Sequence, residues 1–380
     1  MPKKIPIFGS TGSIGQSAIK VINQNPQAYL VQTLVAGSNY QLLAQQAKIL
    51  KPQNIAIKNQ KSYLKLKELL KDQKINIVAG IDAINQLAKE KCDVFIAAIT
   101  GISALQSVYN AVNAGSNIGL ANKECLVACG DLIKQAAKKS GSKLLPIDSE
   151  HNAIFQIFEK ENFSNINNII LTASGGPFLN TPLNGFDKIT PNMAIKHPNW
   201  SMGKKISIDS ATMANKSLEV IEAHHLFDLP AKQIKILIHP QSIIHGIVNY
   251  SDGSSLAMMG IPDMQIPISY ALNHPKRARL NNVDLDLAKI AKLDFIDLDL
   301  SRFPIVKSAY SALNQAQNAP CIFNAANEIA VDLFLQEKIK FTQIAQIIDQ
   351  TLQKSKFHQL NSIQDVIDCS DMVKNQITEK

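Results

Sequence analysis

The chain has 380 residues, 46% of them hydrophobic and 18% charged, with a formal net charge of +8. That is enough apolar sequence for two or three packed domains, and it excludes a disordered, charge-driven chain. The 39 basic residues against 31 acidic are scattered among Asn, Gln and Ile, so the excess reads as solvated surface and argues against a nucleic-acid-binding protein.

No apolar run reaches the roughly 20 residues that a membrane-crossing helix needs, and the start lacks the apolar core of a signal peptide. Five cysteines with no CxxC pair fit a reducing compartment. The expectation is a soluble, cytoplasmic protein with no membrane partner.

From residue 1 to 147, short apolar runs alternate with helical patterns. Strands are expected at Ile5–Phe8, Tyr29–Ala36, Asn54–Ile57, Ile75–Ala79, Asp93–Ile99, Asn117–Leu120 and Lys143–Ile147. Helices are expected between them, as at Ser13–Asn23, Tyr40–Leu50 and Ser103–Ala114. Such alternation predicts an α/β, Rossmann-like N-terminal domain whose ligands sit at the carboxyl ends of parallel strands. Residues 148–275 read as a second domain, α+β, which the resemblance described below makes the catalytic domain. It has helices at His151–Glu159 and Ser210–Phe227, and strands at Asn168–Ala173, Ile206–Ile208 and Ile234–Ile238. A hairpin turns at Ser251-Asp252-Gly253, between Ile243–Tyr250 and Ser254–Met259. Residues 276–300 lack periodicity and read as a linker, and 301–380 as a C-terminal helical bundle.

Several segments carry chemistry. Gly9-Ser10-Thr11-Gly12-Ser13-Ile14-Gly15 follows the first strand and opens the first helix, where backbone N–H groups can approach a pyrophosphate. Its spacing is GxxGxxG, and a ligand-free glycine turn is the competing reading. The second strand ends in Gly37-Ser38-Asn39 with no acid, which favours NADP over NAD. Asn122-Lys123-Glu124 lies at the same edge, as cofactor and substrate contacts or as a plain helix cap.

Asp148 and Glu150 stand at i and i+2. On an extended chain both carboxylates face one way and suit Mg2+ or Mn2+, although two solvated acids would look the same. Ser174-Gly175-Gly176 offers an anion nest or an ordinary turn. The only tryptophan, Trp200, lies in the loop His197–Gly203 and reads as a lid. In Asp209–Glu219, Asn215, Lys216 and Glu219 share one helix face, with Ser210 near the helix start. That set fits a phosphate monoester with Glu219 as a third metal ligand; a surface Lys–Glu pair would leave Asn215 and the hydroxyls unexplained.

Across these motifs the chain resembles the 1-deoxy-D-xylulose 5-phosphate reductoisomerase family over nearly its whole length. The resemblance rests on GSTGSIG (9–15), ANKE (121–124), DSEHNAIFQ (148–156), SGGPF (174–178), the block from His197 to Ala223, IHPQSIIH (238–245), MGIPDMQIPI (259–268) and NAANE (324–328). It implies NADPH- and divalent-metal-dependent rearrangement, by a retro-aldol/aldol route, and reduction of 1-deoxy-D-xylulose 5-phosphate to 2-C-methyl-D-erythritol 4-phosphate. That reaction belongs to the non-mevalonate isoprenoid pathway.

It places the metal, Mg2+ or Mn2+, on Asp148, Glu150 and Glu219. Substrate contacts fall on Lys123, Ser149, Glu150, Ser174, His197, Trp200, Ser210, Asn215, Lys216 and Glu219, with catalytic roles for Lys123, Asp148, Glu150, His197 and Glu219. NADPH contacts fall on Thr11, Gly12, Ser13, Ile14, Gly37, Ser38, Asn39, Asn122, Glu124 and Gly203. A homodimer is implied, with the second domain's sheet as its contact. The alternatives are an NADP-dependent dehydrogenase of another phosphorylated sugar and a non-catalytic Rossmann binding protein.

One departure is Ser38. Family members often carry Lys or Arg after the glycine of this turn, so a narrower margin of NADPH over NADH is expected.

Overall fold

In a computed structural model the described residues are 1–196, 203–281 and 284–379. The first half runs β1 (Lys3–Phe8), α1 (Ser13–Gln24), β2 (Tyr29–Ala36), α2 (Tyr40–Leu50), β3 (Asn54–Ile57), α3 (Gln60–Leu69), β4 (Asn76–Ala79) and α4 (Ile81–Leu87). Then come β5 (Val94–Ala97), α5 (Leu105–Asn113), β6 (Asn117–Leu120), α6 (Lys123–Ser140), β7 (Leu144–Pro146), α7 (Ser149–Ile157) and β8 (Ile166–Ala173). There follow α8 (Pro191–Ala194), α9 (Lys204–Thr212), α10 (Ala214–Phe227), β9 (Ile234–Ile238), β10 (Ile244–Tyr250), β11 (Ser255–Met259) and α11 (Gln265–Asn273). The chain closes with α12 (Leu287–Ile290), α13 (Ile305–Gln315), α14 (Ala319–Leu335), α15 (Phe341–Lys354) and α16 (Ile363–Thr378).

These elements form two compact units. The first comprises Met1–Cys125, Ile133–Ser149 and Asp263–Asn282, the second Leu126–Leu132, Glu150–Pro262 and Val283–Lys380. In the first, seven parallel strands lie in the order β4-β3-β2-β1-β5-β6-β7. Apolar runs such as Ile55-Ala56-Ile57 are buried along their whole length, as a sheet covered on both faces requires. Phe8 and Phe95 pack ring to ring at 4.4 Å between adjacent strands. The chain leaves β1 toward β2 on one side and reaches β5 on the other, which makes a switch point at their carboxyl ends.

The second unit holds a four-stranded mixed sheet in the order β11-β10-β8-β9, with the β10–β11 hairpin where the turn signal put it. Helices α13 to α16 belong to the same unit, their buried residues at helical spacing, as at Ile344, Ile348 and Leu352 on α15. Residues 276–300 carry the short helix α12 and a bridge from Ile296 to Ile238.

Three local expectations are corrected. Ile206–Ile208 is helix, not strand, within α9. The Ile-Ser-Ile alternation suits either period, and the Ser207 and Thr212 hydroxyls settle into the helix by donating to the carbonyls of Gly203 and Ile208. The single helix expected at Ser210–Phe227 is two, because Met213 adopts a left-handed conformation (φ 65°) between α9 and α10. Ser210 therefore stands in the last turn of α9, not at a helix start. Finally, Ser149 and Glu150 open helix α7, so Asp148 and Glu150 are not an extended pair.

Candidate active site

In the first unit every strand end that the sequence marked lies on one edge, because all seven strands run in parallel. Helix α1 starts from Gly12, which has no side chain to cap it, so its first-turn N–H groups are left for solvent or ligand. A Cβ on Gly15 would stand 2.3 Å from the Gly9 carbonyl oxygen, so only glycine lets α1 sit this close to the turn. Thr11 and Ile14 are half-buried, and Gly12, Ser13, Gly37, Ser38 and Asn39 are exposed. Asn39 caps α2, accepting from the Leu42 N–H at 3.1 Å.

Asn122 is buried, and its side chain is used in full. It donates to the carbonyls of Ile99 (2.6 Å) and Gly101 (2.9 Å) and accepts from the Cys125 N–H (2.9 Å). The cap reading of this residue is therefore realised, and it ties the loop after β5 to the start of α6. Glu124 is buried next to it. Lys123, also buried, pairs with Asp148, which follows β7.

The second unit brings together Glu150, Asn215, Lys216 and Glu219. The Lys216 ammonium bridges Glu150 (2.5 Å) and Glu219, with its side chain 4% exposed. Asn215 donates to the other oxygen of Glu219 at 2.5 Å. One oxygen of Glu150 and one of Glu219 lie within 4.8 Å of each other. Two carboxylates this close, one of them 1% exposed, need a cation between them, and the ammonium provides it.

The turn after β8, which carries Ser174, passes close to the backbone of α9 at Ser210. Gly176 has φ 66°, and a Cβ there would stand 2.8 Å from the Ser210 carbonyl oxygen. The Ser174 hydroxyl accepts from the Gly176 N–H at 3.2 Å, which folds the turn. Gly203 precedes α9 and is exposed. Ser149 is half-buried at the start of α7. His197 and Trp200 lie outside the described residues.

Two histidines that the sequence reading did not single out also belong here. His151 is buried, with Nε2 2.9 Å from the Glu219 carbonyl and Nδ1 3.3 Å from the Glu222 carboxylate. His245 on β10 contacts the Gly260 carbonyl; burial holds it below the usual imidazole range against the pull of Glu150. The available signal was Glu222, three residues past Glu219 on the same face of α10.

A doubly wound parallel sheet with a glycine turn at its switch point, joined in one chain to a lysine–carboxylate cluster, defines a Rossmann-type oxidoreductase acting on an oxygen-rich anion. Family models match three stretches: 1-deoxy-D-xylulose 5-phosphate reductoisomerase over residues 5–130, its C-terminal domain over 144–227, and the DXP reductoisomerase C-terminal domain over 259–376. A reductoisomerase of that name from Phocaeicola vulgatus is 44% identical over 97% of this chain and 96% of its own. Another from Geobacter metallireducens is 45% identical over 96% and 95%.

The solved structure of the Zymomonas mobilis enzyme in complex with NADPH is 41% identical. It covers 100% of this chain and 99% of its own, with a TM-score of 0.94. A DOX-P reductoisomerase in complex with NADPH, fosmidomycin and magnesium is 39% identical over 99% and 98%, with the same TM-score. The chain belongs to the 1-deoxy-D-xylulose 5-phosphate reductoisomerase family.

Proposed function

We propose that this enzyme rearranges 1-deoxy-D-xylulose 5-phosphate and reduces the resulting branched aldehyde with NADPH to 2-C-methyl-D-erythritol 4-phosphate, in isoprenoid precursor synthesis. The observation that carries the reading is the Glu150–Lys216–Glu219 cluster, its lysine and Glu219 buried, with Asn215 on Glu219, in a chain of this family. Hard carboxylate oxygens around a cationic centre fit Mg2+ or Mn2+, and Asp148, two residues before Glu150, completes the set. A divalent cation bound there supplies Lewis-acid polarisation of adjacent substrate oxygens. NADPH supplies the hydride.

The chain's own residues do the rest. Thr11 to Ile14 and the free first turn of α1 receive the pyrophosphate. Gly37, Ser38 and Asn39 face the adenosine side, and Asn122 and Glu124 hold the edge next to them, with Gly203 at the lid. Ser174, Ser210, Asn215 and Lys216 anchor the substrate phosphate, so binding energy far from the reacting carbons fixes their orientation. With Lys216 turned to the phosphate, Glu150 and Glu219 would be the residues that hold the metal. Lys123, Asp148, Ser149 and Glu150 line the reacting end, and His197 and Trp200 complete the substrate side on the resemblance alone.

No described helix is long and apolar enough to cross a membrane. All five cysteines are buried and none is in a disulfide, which supports a cytoplasmic location. A homodimer is the assembly proposed: β11 is an edge strand whose Ser255, Leu256 and Ala257 are exposed, a template for pairing with a second copy. The test is NADPH oxidation in the presence of the phosphorylated pentulose, with the product identified by mass and chromatography. Stoichiometric branched tetrol phosphate is expected; oxidation without skeletal rearrangement would favour the plain dehydrogenase.

A further inference from the structure

Helix α14 carries two amides in the core of the second unit. Asn324 and Asn327 are each 0% exposed and, three residues apart, lie on one face. Among the described residues neither amide atom of Asn324 has a hydrogen-bond partner, and the Asn327 oxygen has none. Such groups weaken a helical core relative to leucine, so stability does not account for them. What Asn327 does make is one bond across helices: its amide donates to Asp209 on α9 at 2.9 Å.

Asp209 is itself 1% exposed. Its other oxygen accepts from Lys205, one turn earlier on the same helix, at 2.8 Å. That local pair neutralises the carboxylate, but it cannot fix α9 against the rest of the unit. The bond from Asn327 can, because it comes from another helix. Asp209 immediately precedes Ser210. Two residues further on, the Thr212 hydroxyl stitches α9 to α10 by accepting from the Ala214 N–H at 3.2 Å and donating to the Ile208 carbonyl at 3.1 Å. Setting the last turn of α9 therefore also sets the corner at Met213 and the start of α10, where Asn215 and Lys216 stand.

We propose that Asn327 is a positioning residue for the substrate phosphate: by holding the Asp209 carboxylate it fixes Ser210 and the corner that aims Asn215 and Lys216. This rests on the reading of Ser210, Asn215 and Lys216 as the phosphate anchor. It predicts an effect centred on the phosphorylated substrate, because the link acts on the last turn of α9 and the start of α10, at the end of α9 away from Gly203.

The experiment is steady-state kinetics of the full-length enzyme with both substrates varied, alongside thermal melting. Asn327→Ala raises KM for the pentulose phosphate by about tenfold, the loss of one bond to a charged group. It leaves kcat within about threefold and KM for NADPH within about twofold, the pattern expected when a binding contact is lost. Asn327→Asp sets two carboxylates face to face and raises KM further. Adding Asp209→Asn to it exchanges donor and acceptor, remakes the bond and brings KM back toward the wild-type value.

Equal changes in both KM values, or failure of the exchange to recover KM, overturns the proposal. If Asn327→Ala does not fold, Asp209→Asn alone decides: it keeps an acceptor for Asn327, so KM stays within about threefold, and a tenfold rise overturns the proposal. Ser210→Ala separates the two layers. If it leaves KM unchanged, the phosphate reading fails; if it raises KM while Asn327→Ala does not, only the positioning role fails.

Discussion

Replacing Lys216 by Met removes the ammonium between Glu150 and Glu219 and keeps the apolar stem. With the metal chelated, two neighbouring carboxylates are then left without their cation. Breaking a buried ion pair on one side costs about 3–5 kcal/mol. The Glu219 side chain is 1% exposed and bears that cost in full, whereas Glu150, at 18%, keeps some water, so the lower end, about 3 kcal/mol, applies.

At roughly 2–4 °C per kcal/mol for a unit of 150–250 residues, the melting midpoint falls by about 6–12 °C. Magnesium should then stabilise the variant more than the wild type, because no ammonium competes for the carboxylates. Thermal melting of both proteins, in chelator and in saturating Mg2+, reads this directly. A variant that melts within about 2 °C of wild type in chelator, or equal stabilisation of both by Mg2+, refutes the account of Lys216 as the resident counter-ion.

Other consequences are as direct. Ser38→Arg places a cation at the exposed turn after β2, and a charge-assisted bond to a 2′-phosphate should raise the NADPH:NADH ratio of kcat/KM about tenfold; an unchanged ratio sinks the idea. Gly15→Ala puts a methyl 2.3 Å from a backbone oxygen, so NADPH affinity, measured by fluorescence titration, should fall at least about tenfold. Leu256→Lys on the edge strand should shift the protein from dimer to monomer in light scattering, and a dimer that survives places the interface elsewhere.

Burial pushes the Cys92 thiol up to about 11 and Cys129 to about 12. The native chain holds these protons after the unfolded chain has begun to lose them near pH 9. Their contribution to stability is therefore full below that pH and lost as pH rises toward 11–12. Urea midpoints followed from pH 7 to 11 should stay flat and then fall; a flat profile throughout would show that these thiols are not held protonated.

The parallel sheet was legible because its strands are short β-branched runs between glycine turns and helical stretches, a pattern with few other folded solutions. The edge residues followed, since parallel strands send every β–α turn to the same side. The second unit was less legible where one short apolar alternation fits two periods. Ile206–Ile208 reads as a strand until the Asp209 carboxylate is seen to need Lys205 at helical spacing and Asn327 from α14.

The corner at Met213 carries no glycine or proline to announce it; tertiary packing imposes it. Helix α11, at residues 265–273, gave no local sign that it groups with the first unit, where Asn273 meets Tyr29 at 2.9 Å. His245 is a lone histidine in an apolar run and His151 a neighbour of two more conspicuous carboxylates, so only burial beside Glu150 and Glu219 distinguishes them.

The central claim is that one enzyme needs the carboxylate cluster, a divalent cation and NADPH together to act on 1-deoxy-D-xylulose 5-phosphate. The most direct measurement is the initial rate of NADPH oxidation with that substrate after chelation, and again after Mg2+ or Mn2+ is restored, in wild type and in Glu219→Gln. Wild-type turnover should vanish on chelation and return with metal, and the variant should stay inactive under both conditions. A rate unchanged by chelation, or wild-type turnover by Glu219→Gln, would contradict it.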